Sequence, residues 1–339
     1  MHCCPNLKEL PFPPEGRKKG WPWTEETTQS SEMMSNGNPW PKISIVTPSY
    51  NQGKFIEETI RSVLLQRYPN LEYIIIDGGS TDNSVDIIKK YGKYLRYWTS
   101  EPDQGQANAI NKGFSKASGD ILGFLNSDDL FTPKTLFKVA EQFRSCIHLP
   151  IFITFSGSSF DSNLCEIVYK APENPSIVKL ILTASSFFQP STFWTRALHK
   201  KVGNFREDFK FCFDKEFFVR ALSLKAIYRG CPEFVASKFR IHPCSKTTDI
   251  LSVRNMENEK ICNMYLKNKR IRAMFMRAKS HKNAIEKINT SLEIDGFIPA
   301  FKVLLEVFFL YPRIVLSRFY LGALKRLIYK SFEFYDKRY

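Results

Sequence analysis

The chain has 339 residues, 43% of them apolar and 24% charged, which is ordinary globular usage and enough length to bury a large core. Lys and Arg number 49 against 34 Asp and Glu, a formal charge of +15. That excess favours a polyanionic partner such as nucleic acid, an anionic membrane face or a phosphorylated ligand, while composition and hydropathy exclude collagen, coiled-coil and multispanning membrane proteins.

Residues 1–40 read as an irregular arm rich in Pro, Trp, Ser and Thr, draped on the domain by Trp21, Trp23 and Trp40. The opening MHCCPNLKELPFPPEG has no apolar stretch after a basic start, so it does not read as a secretory signal. Eight cysteines show no CxxC spacing and no His at zinc-finger distance. They predict reduced, mostly buried thiols in a cytosolic protein.

From Pro41 the texture changes. Lys42–Val46 is a β-rich run ending in the turn cluster Thr47–Gly53, after which Ile56, Ile60, Val63 and Leu64 recur at helical spacing. Arg61 and Arg67 on that helix are expected to be solvated. Leu71–Ile76 reads as a strand stopped by Asp77-Gly-Gly-Ser80, followed by a helix over Thr81–Tyr91 and a strand near Leu95–Ser100. A helix over Gln106–Lys116 leads to the strand Ile121–Leu125, which ends in Asn126-Ser-Asp-Asp129. This alternation predicts βαβ units and a mostly parallel sheet covered on both faces. Beyond it lie short strands over Ile151–Tyr169, a strand over Phe187–Thr195, a helix over Asp214–Leu222 and an extended run Ala226–Ile241. After Ser245 the pattern is helical.

Four polar clusters, Thr47–Gln52, Asp77–Asp82, Glu101–Gln106 and Asn126–Asp129, fall just past the C-terminal ends of predicted strands. In an open α/β sheet that is where ligands bind. Neither GxxxxGK[ST] nor GxGxxG occurs, so a diphosphate bound there needs a bridging cation rather than a glycine cradle. Asp128 and Asp129, next to Asn126, supply the hard oxygen ligands that Mg²⁺ or Mn²⁺ prefers. The other reading of the pair is an N-cap for a helix over Thr132–Phe143.

The ordered set Thr47-Pro-Ser-Tyr-Asn51, Ile76-Asp-Gly-Gly-Ser-Thr-Asp82, Ser100-Glu-Pro-Asp-Gln-Gly-Gln-Ala-Asn-Ala-Ile-Asn-Lys-Gly113 and Leu125-Asn-Ser-Asp-Asp129 resembles the family 2 glycosyltransferases of the GT-A fold. The likeness runs more loosely to about residue 250. It implies an α/β fold whose Rossmann-like nucleotide-binding sheet, with helices on both faces, occupies residues 41–250. Residues 41–130 would form the nucleotide-sugar half and 131–250 the acceptor half, with 251–339 as a C-terminal helical appendage. The implied reaction is an inverting, metal-dependent, hexosyltransferase-type transfer of one sugar from a nucleotide-diphospho-sugar, UDP-sugar favoured. Its acceptor would be a hydroxyl of a growing cell-surface glycan: lipopolysaccharide, capsule or exopolysaccharide, free or lipid-linked.

Carried over by position, the likeness gives Thr47, Pro48, Tyr50, Asn51, Asp77, Gly78 and Asp128 to the nucleotide. Gln104, Gln106 and Asn108 fall to the donor sugar, and Arg240 and Lys246 to the departing diphosphate. Asp128, Asp129 and His242 would hold the divalent cation. Two departures stand out: Gly78 replaces a second Asp that reads the base in many members, and Asn126 replaces the first carboxylate of the Asp-x-Asp motif. In Phe213-Asp-Lys-Glu-Phe-Phe-Val-Arg220, Asp214 aligns with the catalytic base and Glu216 is the second candidate. Read locally, the same residues make an N-cap Asp and a Glu216–Arg220 (i, i+4) pair. Trp194, in Gln189–Trp194, is the acceptor candidate, because aromatic rings stack on sugar faces. No Gln-x-x-Arg-Trp motif occurs, which argues against processive polymerisation.

Residues 270–339 hold 14 Lys or Arg against 6 Asp or Glu. Phe297–Tyr311 is the most apolar segment, yet it is shorter than the ~20 residues that span a bilayer. Pro312–Lys330 reads as a basic amphipathic helix for the inner leaflet of the plasma membrane, making the protein cytoplasmic and peripheral; the alternative is a helical pair with a solvated basic face. The basic excess sits in this tail while the pocket is acidic, so no nucleic acid partner is expected. A rival to the enzyme is a non-catalytic nucleotide-sugar-binding or polyanion-binding protein.

Overall fold

The structure, a computed structural model, describes residues 5–13, 19–28, 33–34, 37–161, 165–173, 177–182, 187–243, 251–293, 297–310 and 320–325. The chain divides into two compact units, Met1–Ile261 and Cys262–Tyr339.

The first unit is built on nine strands: β1 (Ile43–Ser49), β2 (Leu71–Asp77), β3 (Tyr97–Ser100), β4 (Ile121–Phe124), β5 (Leu130–Phe131), β6 (Ile151–Phe160), β7 (Glu166–Tyr169), β8 (Thr192–Thr195) and β9 (Ile227–Arg240). Their order is β3-β2-β1-β4-β8-β6-β9-β5, with β7 paired off this path to Gly157–Phe160 of β6. The β3-β2-β1-β4 section is parallel. Every residue of β1 and β2 is buried, the reason these strands read as unbroken apolar runs. Ser49 pairs with Asp77, and Asp77 with Ser100. The three strand ends are therefore level, and the turn clusters that follow them meet along one edge. Beyond β4 the sheet turns mixed: β8 runs antiparallel to both β4 and β6, while β9 lies parallel to β6 through two register shifts.

Helices α1 (Ile56–Leu64), α2 (Ser84–Tyr91), α3 (Gln106–Lys116) and α4 (Thr135–Phe143) belong to the parallel half. In α1 the predicted stripe Ile56, Ile60, Val63 and Leu64 is fully buried. Helix α3 packs so closely on β1 that a Cβ at Gly113 would lie 2.4 Å from Val46 Cγ1; only glycine permits that approach. The second half carries α5 (Ile177–Leu182), α6 (Arg196–Val202), α7 (Phe213–Ser223) and α8 (Leu251–Tyr265).

Three expectations change. The strand over Phe187–Thr195 is shortened to β8, preceded by a 3₁₀ turn at Gln189–Ser191, since Pro190 has no N–H for the ladder. Helix α4 starts at Thr135, after Lys134 at φ 67°, so Asp128 and Asp129 precede β5 and cap no helix. Arg61 is not solvated but 1% exposed. Its guanidinium donates to the carbonyls of Pro11, Pro22 and Trp23 at 3.0, 3.1 and 3.2 Å and to the Tyr91 hydroxyl at 3.3 Å. Carbonyls of an arm without regular structure need such donors once buried, and the guanidinium fork supplies several at once. Arg67 is likewise engaged, pairing with Glu26 at 3.1 Å.

In the second unit, α9 (Lys269–Glu293), α10 (Phe297–Leu310) and residues 320–325 bury a core of Ala284, Ile288, Ala300, Leu304, Val307, Tyr320 and Ala323. The Tyr320 hydroxyl donates to the Leu304 carbonyl at 3.0 Å. No described helix is long and apolar enough to cross a membrane. Apart from 320–325, the basic segment Pro312–Lys330 lies outside the described residues.

Candidate active site

A cavity of about 730 Å³ opens along the level strand ends. Pro48 and Ser49 line it from β1 and Tyr50 from just past its end, Gly78 and Gly79 from the turn after β2, and Pro102, Asp103 and Gly105 from the turn after β3. Gln106 and Ala109 enter from α3, Asn126, Ser127 and Asp128 from the turn after β4, and Phe239 from β9. All four polar clusters contribute to one space. Tyr50 keeps 60% of its surface exposed, an open aromatic platform at the rim.

Several polar residues of these clusters hold the rim together and do not face the cavity. Asp77 is fully buried and accepts four hydrogen bonds: from Gly79 N (3.2 Å), Ser80 N (2.9 Å), Ser80 Oγ (2.6 Å) and Ser100 Oγ (2.7 Å). Its carboxylate closes the turn, satisfying backbone donors that no ladder reaches. Asn51, at φ 52°, accepts from Thr81 N at 2.8 Å, and its own N–H donates to Ser80 Oγ at 2.8 Å. Thr47 is fully buried against the Tyr73 hydroxyl, 3.0 Å away. Thr47 and Asp77 are buried in the scaffold and the exposed Asn51 braces the turn; none of the three lines the cavity, whereas Pro48, Tyr50 and Gly78 do.

Asp103 went unassigned in the sequence although it lies within the quoted Ser100–Gly113 stretch. A Cβ added at Gly78 would fall 2.7 Å from Asp103 Oδ2. The Asp103 carboxylate fills the room that a side chain at 78 would take. Its Oδ1 accepts from Gly105 N at 2.7 Å, and the residue lines the cavity. The missing acid at 78 was the available signal that another residue supplies the charge.

Asp128 lines the cavity, and behind it His242 Nε2 lies 3.0 Å from Asp128 Oδ2, joining residues 114 apart in sequence; His242 itself is not among the lining residues. The Phe55 ring packs on the imidazole with centroids 4.5 Å apart. Asp129 does not join them. It is fully buried, with Oδ1 accepting from Arg240 N (3.1 Å) and Oδ2 from Asn126 Nδ2 (3.2 Å). Burial, with the Asp128 charge beside it, pushes its carboxyl well above the usual range. Asp129 is therefore corrected from open ligand to internal support. The amide at 126 fits this: its Nδ2 faces Asp129 and its Oδ1 accepts from Gln106 Nε2 at 2.6 Å, whereas an Asp there would set two carboxylates together.

Arg240 is corrected as well. Its guanidinium lies between Phe55 and Phe160, pairs with Glu58 at 2.9 Å and donates to the Asp128 carbonyl at 3.1 Å. It fastens the His242 segment to the Asp128 turn. Lys246 lies outside the described residues.

Among the described residues no three His, Cys, Asp or Glu gather as a metal cage. Asp128 and His242 do match the open kind of Mg²⁺ or Mn²⁺ site, in which few protein donors leave positions for phosphate and water. A cation held there would take the place of the Asp128–His242 hydrogen bond and supply positive charge to a diphosphate.

Of the donor-sugar candidates, Gln106 lines the cavity. Gln104 is exposed, and Asn108 donates to Glu207 Oε2 at 2.9 Å; neither lines it. Asp214 sits in the first turn of α7, half-buried, its Oδ1 accepting from Lys215 N at 2.7 Å. Burial pushes its carboxyl up to about 6, the range of a base that works near neutral pH. Glu216 is fully buried and gripped by Arg220 at 2.9 and 3.1 Å, so the ion-pair reading replaces its role as a second base. Trp194 is 0% exposed and ringed by Phe114, Phe124, Phe205, Phe217 and Phe218. No sugar reaches it; its aromatic surface is core.

Residues 44–197 match the family described as glycosyl transferase family 2. An uncharacterized glycosyltransferase of Mycobacterium tuberculosis is 32% identical over 182 residues, 53% of this chain and 69% of the relative. The putative teichuronic acid biosynthesis glycosyltransferase TuaG of Bacillus subtilis is 37% identical over 139 residues, 40% of this chain and 54% of TuaG. Among solved structures, S. aureus TarS 1-349 in complex with UDP superposes with a TM-score of 0.52 at 21% identity, covering 70% of this chain and 71% of that one. Against the longer S. aureus TarS chain the TM-score is 0.51 at 22% identity, and this chain spans 43% of it. Four motif turns meeting on one cavity edge, a GT-A-like sheet and a relative matched over two thirds of its length together place the chain in glycosyl transferase family 2, as a glycosyltransferase.

Proposed function

We propose that the protein transfers a single hexose from a nucleotide-diphospho-sugar to a hydroxyl of a cell-surface glycan, with inversion at the anomeric carbon. The observation that carries this reading is the 3.0 Å contact of His242 with Asp128, a residue that lines the cavity. Asp128 and His242 would hold a divalent cation, which supplies charge to the diphosphate. The acceptor oxygen bonds to the anomeric carbon from the face opposite the nucleotide while Asp214 takes its proton. The bond from that carbon to the diphosphate oxygen breaks, and the nucleoside diphosphate leaves with the electron pair. One such displacement inverts the configuration.

Pro48, Tyr50 and Gly78 offer a flat platform for the base, and Asp103 Oδ2 is an acceptor beside it. One available carboxylate oxygen suits the single ring N–H of uracil better than the paired donors of guanine, and TarS, which shares the fold, was crystallised with UDP. A surface polysaccharide as acceptor is supported by the name of the relative TuaG. Exposed Leu305, Phe308 and Phe309 on α10 support peripheral contact with a membrane carrying that acceptor.

Calorimetry with UDP, GDP, ADP and CDP, with and without Mn²⁺, tests the site. The expected result is Mn²⁺-dependent UDP binding that Asp128→Ala abolishes and Asp103→Asn weakens. Absence of binding by every nucleotide, or UDP binding that Asp128→Ala leaves untouched, overturns it.

A further inference from the structure

Away from the cavity, Glu257 of α8 is 8% exposed and accepts three hydrogen bonds from consecutive backbone groups: Lys210 N at 2.6 Å, Phe211 N at 2.9 Å and Cys212 N at 2.7 Å. These N–H groups immediately precede α7, whose second residue is Asp214. Groups at a helix entry have no carbonyl one turn back to receive them, and a carboxylate is both a strong acceptor and well placed at the positive helix end. Two further contacts tie α8 to the same stretch. Lys215 Nζ donates to Asn258 Oδ1 at 2.6 Å, and Lys260 Nζ pairs with Asp208 at 2.7 Å. Residues 208–215 are therefore held by one helix, and that helix lies beyond the family-matched residues 44–197.

We propose that Glu257 is a positioning residue for the transfer, locking the turn that presents Asp214 and setting its own negative charge against that carboxylate. The proposal rests on the reading of Asp214 as the base. Burial is the main reason that the Asp214 carboxyl is pushed up to about 6; the Glu257 charge adds to the rise, and Lys215 opposes it. Arg254 of α8 also faces this turn, near Cys212. A base near 6 stays ionised at neutral pH and accepts a proton more readily than an ordinary carboxylate.

Glu257→Gln removes the charge and offers one oxygen for three donors, while Glu257→Asp keeps the charge but draws it back by one methylene. The readouts are release of UDP from UDP-hexoses against pH and the titration of the Asp214 carboxyl by ¹³C NMR, with circular dichroism as the check on folding. Glu257→Gln should lower kcat about 10–100-fold, leave the donor KM close to wild type and move both the acid limb and the Asp214 titration to lower pH. Glu257→Asp should lower kcat while the titration stays near its wild-type position. A folded Glu257→Gln with unchanged kcat and an unmoved Asp214 titration overturns the proposal, as does Glu257→Asp at wild-type kcat. The base assignment fails separately, if Asp214→Asn keeps turnover.

Discussion

The donor rim and the α7 region of the first unit use carboxylates in opposite ways. In the rim, Asp77 collects four donors within 23 residues of itself. Its charge is spent on holding a turn. On α7, Asp214 and Glu216 lie two residues apart, and their surroundings separate them. Glu216 has the Arg220 fork, whereas Asp214 accepts only from the backbone N–H groups of Lys215 and its own residue and is pushed up to about 6 by burial. A saturated carboxylate is structural support. A carboxylate that burial leaves short of donors can move a proton.

Asp214→Asn gives the largest effect and tests that contrast. Turnover should fall about 10²–10⁴-fold with nucleotide binding retained; a non-catalytic binder would show no change. Stability should move the other way. The folded carboxyl lies at about 6, against 3.8 for an ordinary Asp. Its contribution to stability is therefore full below about pH 4 and lost as pH rises through about 6. At pH 8 the native protein carries a half-buried charge that Asn lacks, so Asp214→Asn should be more stable by about 1–3 kcal/mol in urea unfolding, a gain that vanishes near pH 3.5. Wild-type turnover should show an acid limb near pH 6.

Arg220→Ala comes next, and it acts on stability. Arg220 also donates to the carbonyls of Val202 and Asn204 at 2.6 and 2.8 Å. Its loss leaves Glu216 buried without its cation, which should cost about 3–5 kcal/mol in urea unfolding. Glu216→Gln should cost less and keep turnover in the folded fraction. Loss of turnover by a stable Glu216→Gln would exchange the roles of the two acids.

The sequence made much of this legible because the signals were local. Unbroken apolar strands gave the covered parallel section, and turn clusters after them gave the cavity edge. The direction of individual side chains was hidden. Thr47 and Asp77 are buried away from the cavity because their partners Tyr73 and Ser100 become neighbours only when β1, β2 and β3 align. Trp194 carries the aromatic character of a sugar platform, but β8 places it between β4 and β6, within the core. Glu257 offered no motif, since its three partners lie 45–47 residues earlier in the chain.

Gly78→Ala gives the smallest effect and probes the rim alone. Gly78 is not among the residues at positive φ, so alanine fits the backbone and the strain falls on Asp103, whose Oδ2 would lie 2.7 Å from the new Cβ. A contact that short forces the carboxylate to rotate away. If Asp103 reads the base, UDP affinity should drop by about 5–30-fold, on the order of 1–2 kcal/mol, while the unfolding midpoint changes little. Asp103→Asn combined with Gly78→Ala should then lose little more than Asp103→Asn alone, because both changes act on one hydrogen bond. Fully additive losses in that double-mutant cycle would show that Gly78 meets the nucleotide directly, as part of the flat platform with Tyr50, and that Asp103 acts independently of it.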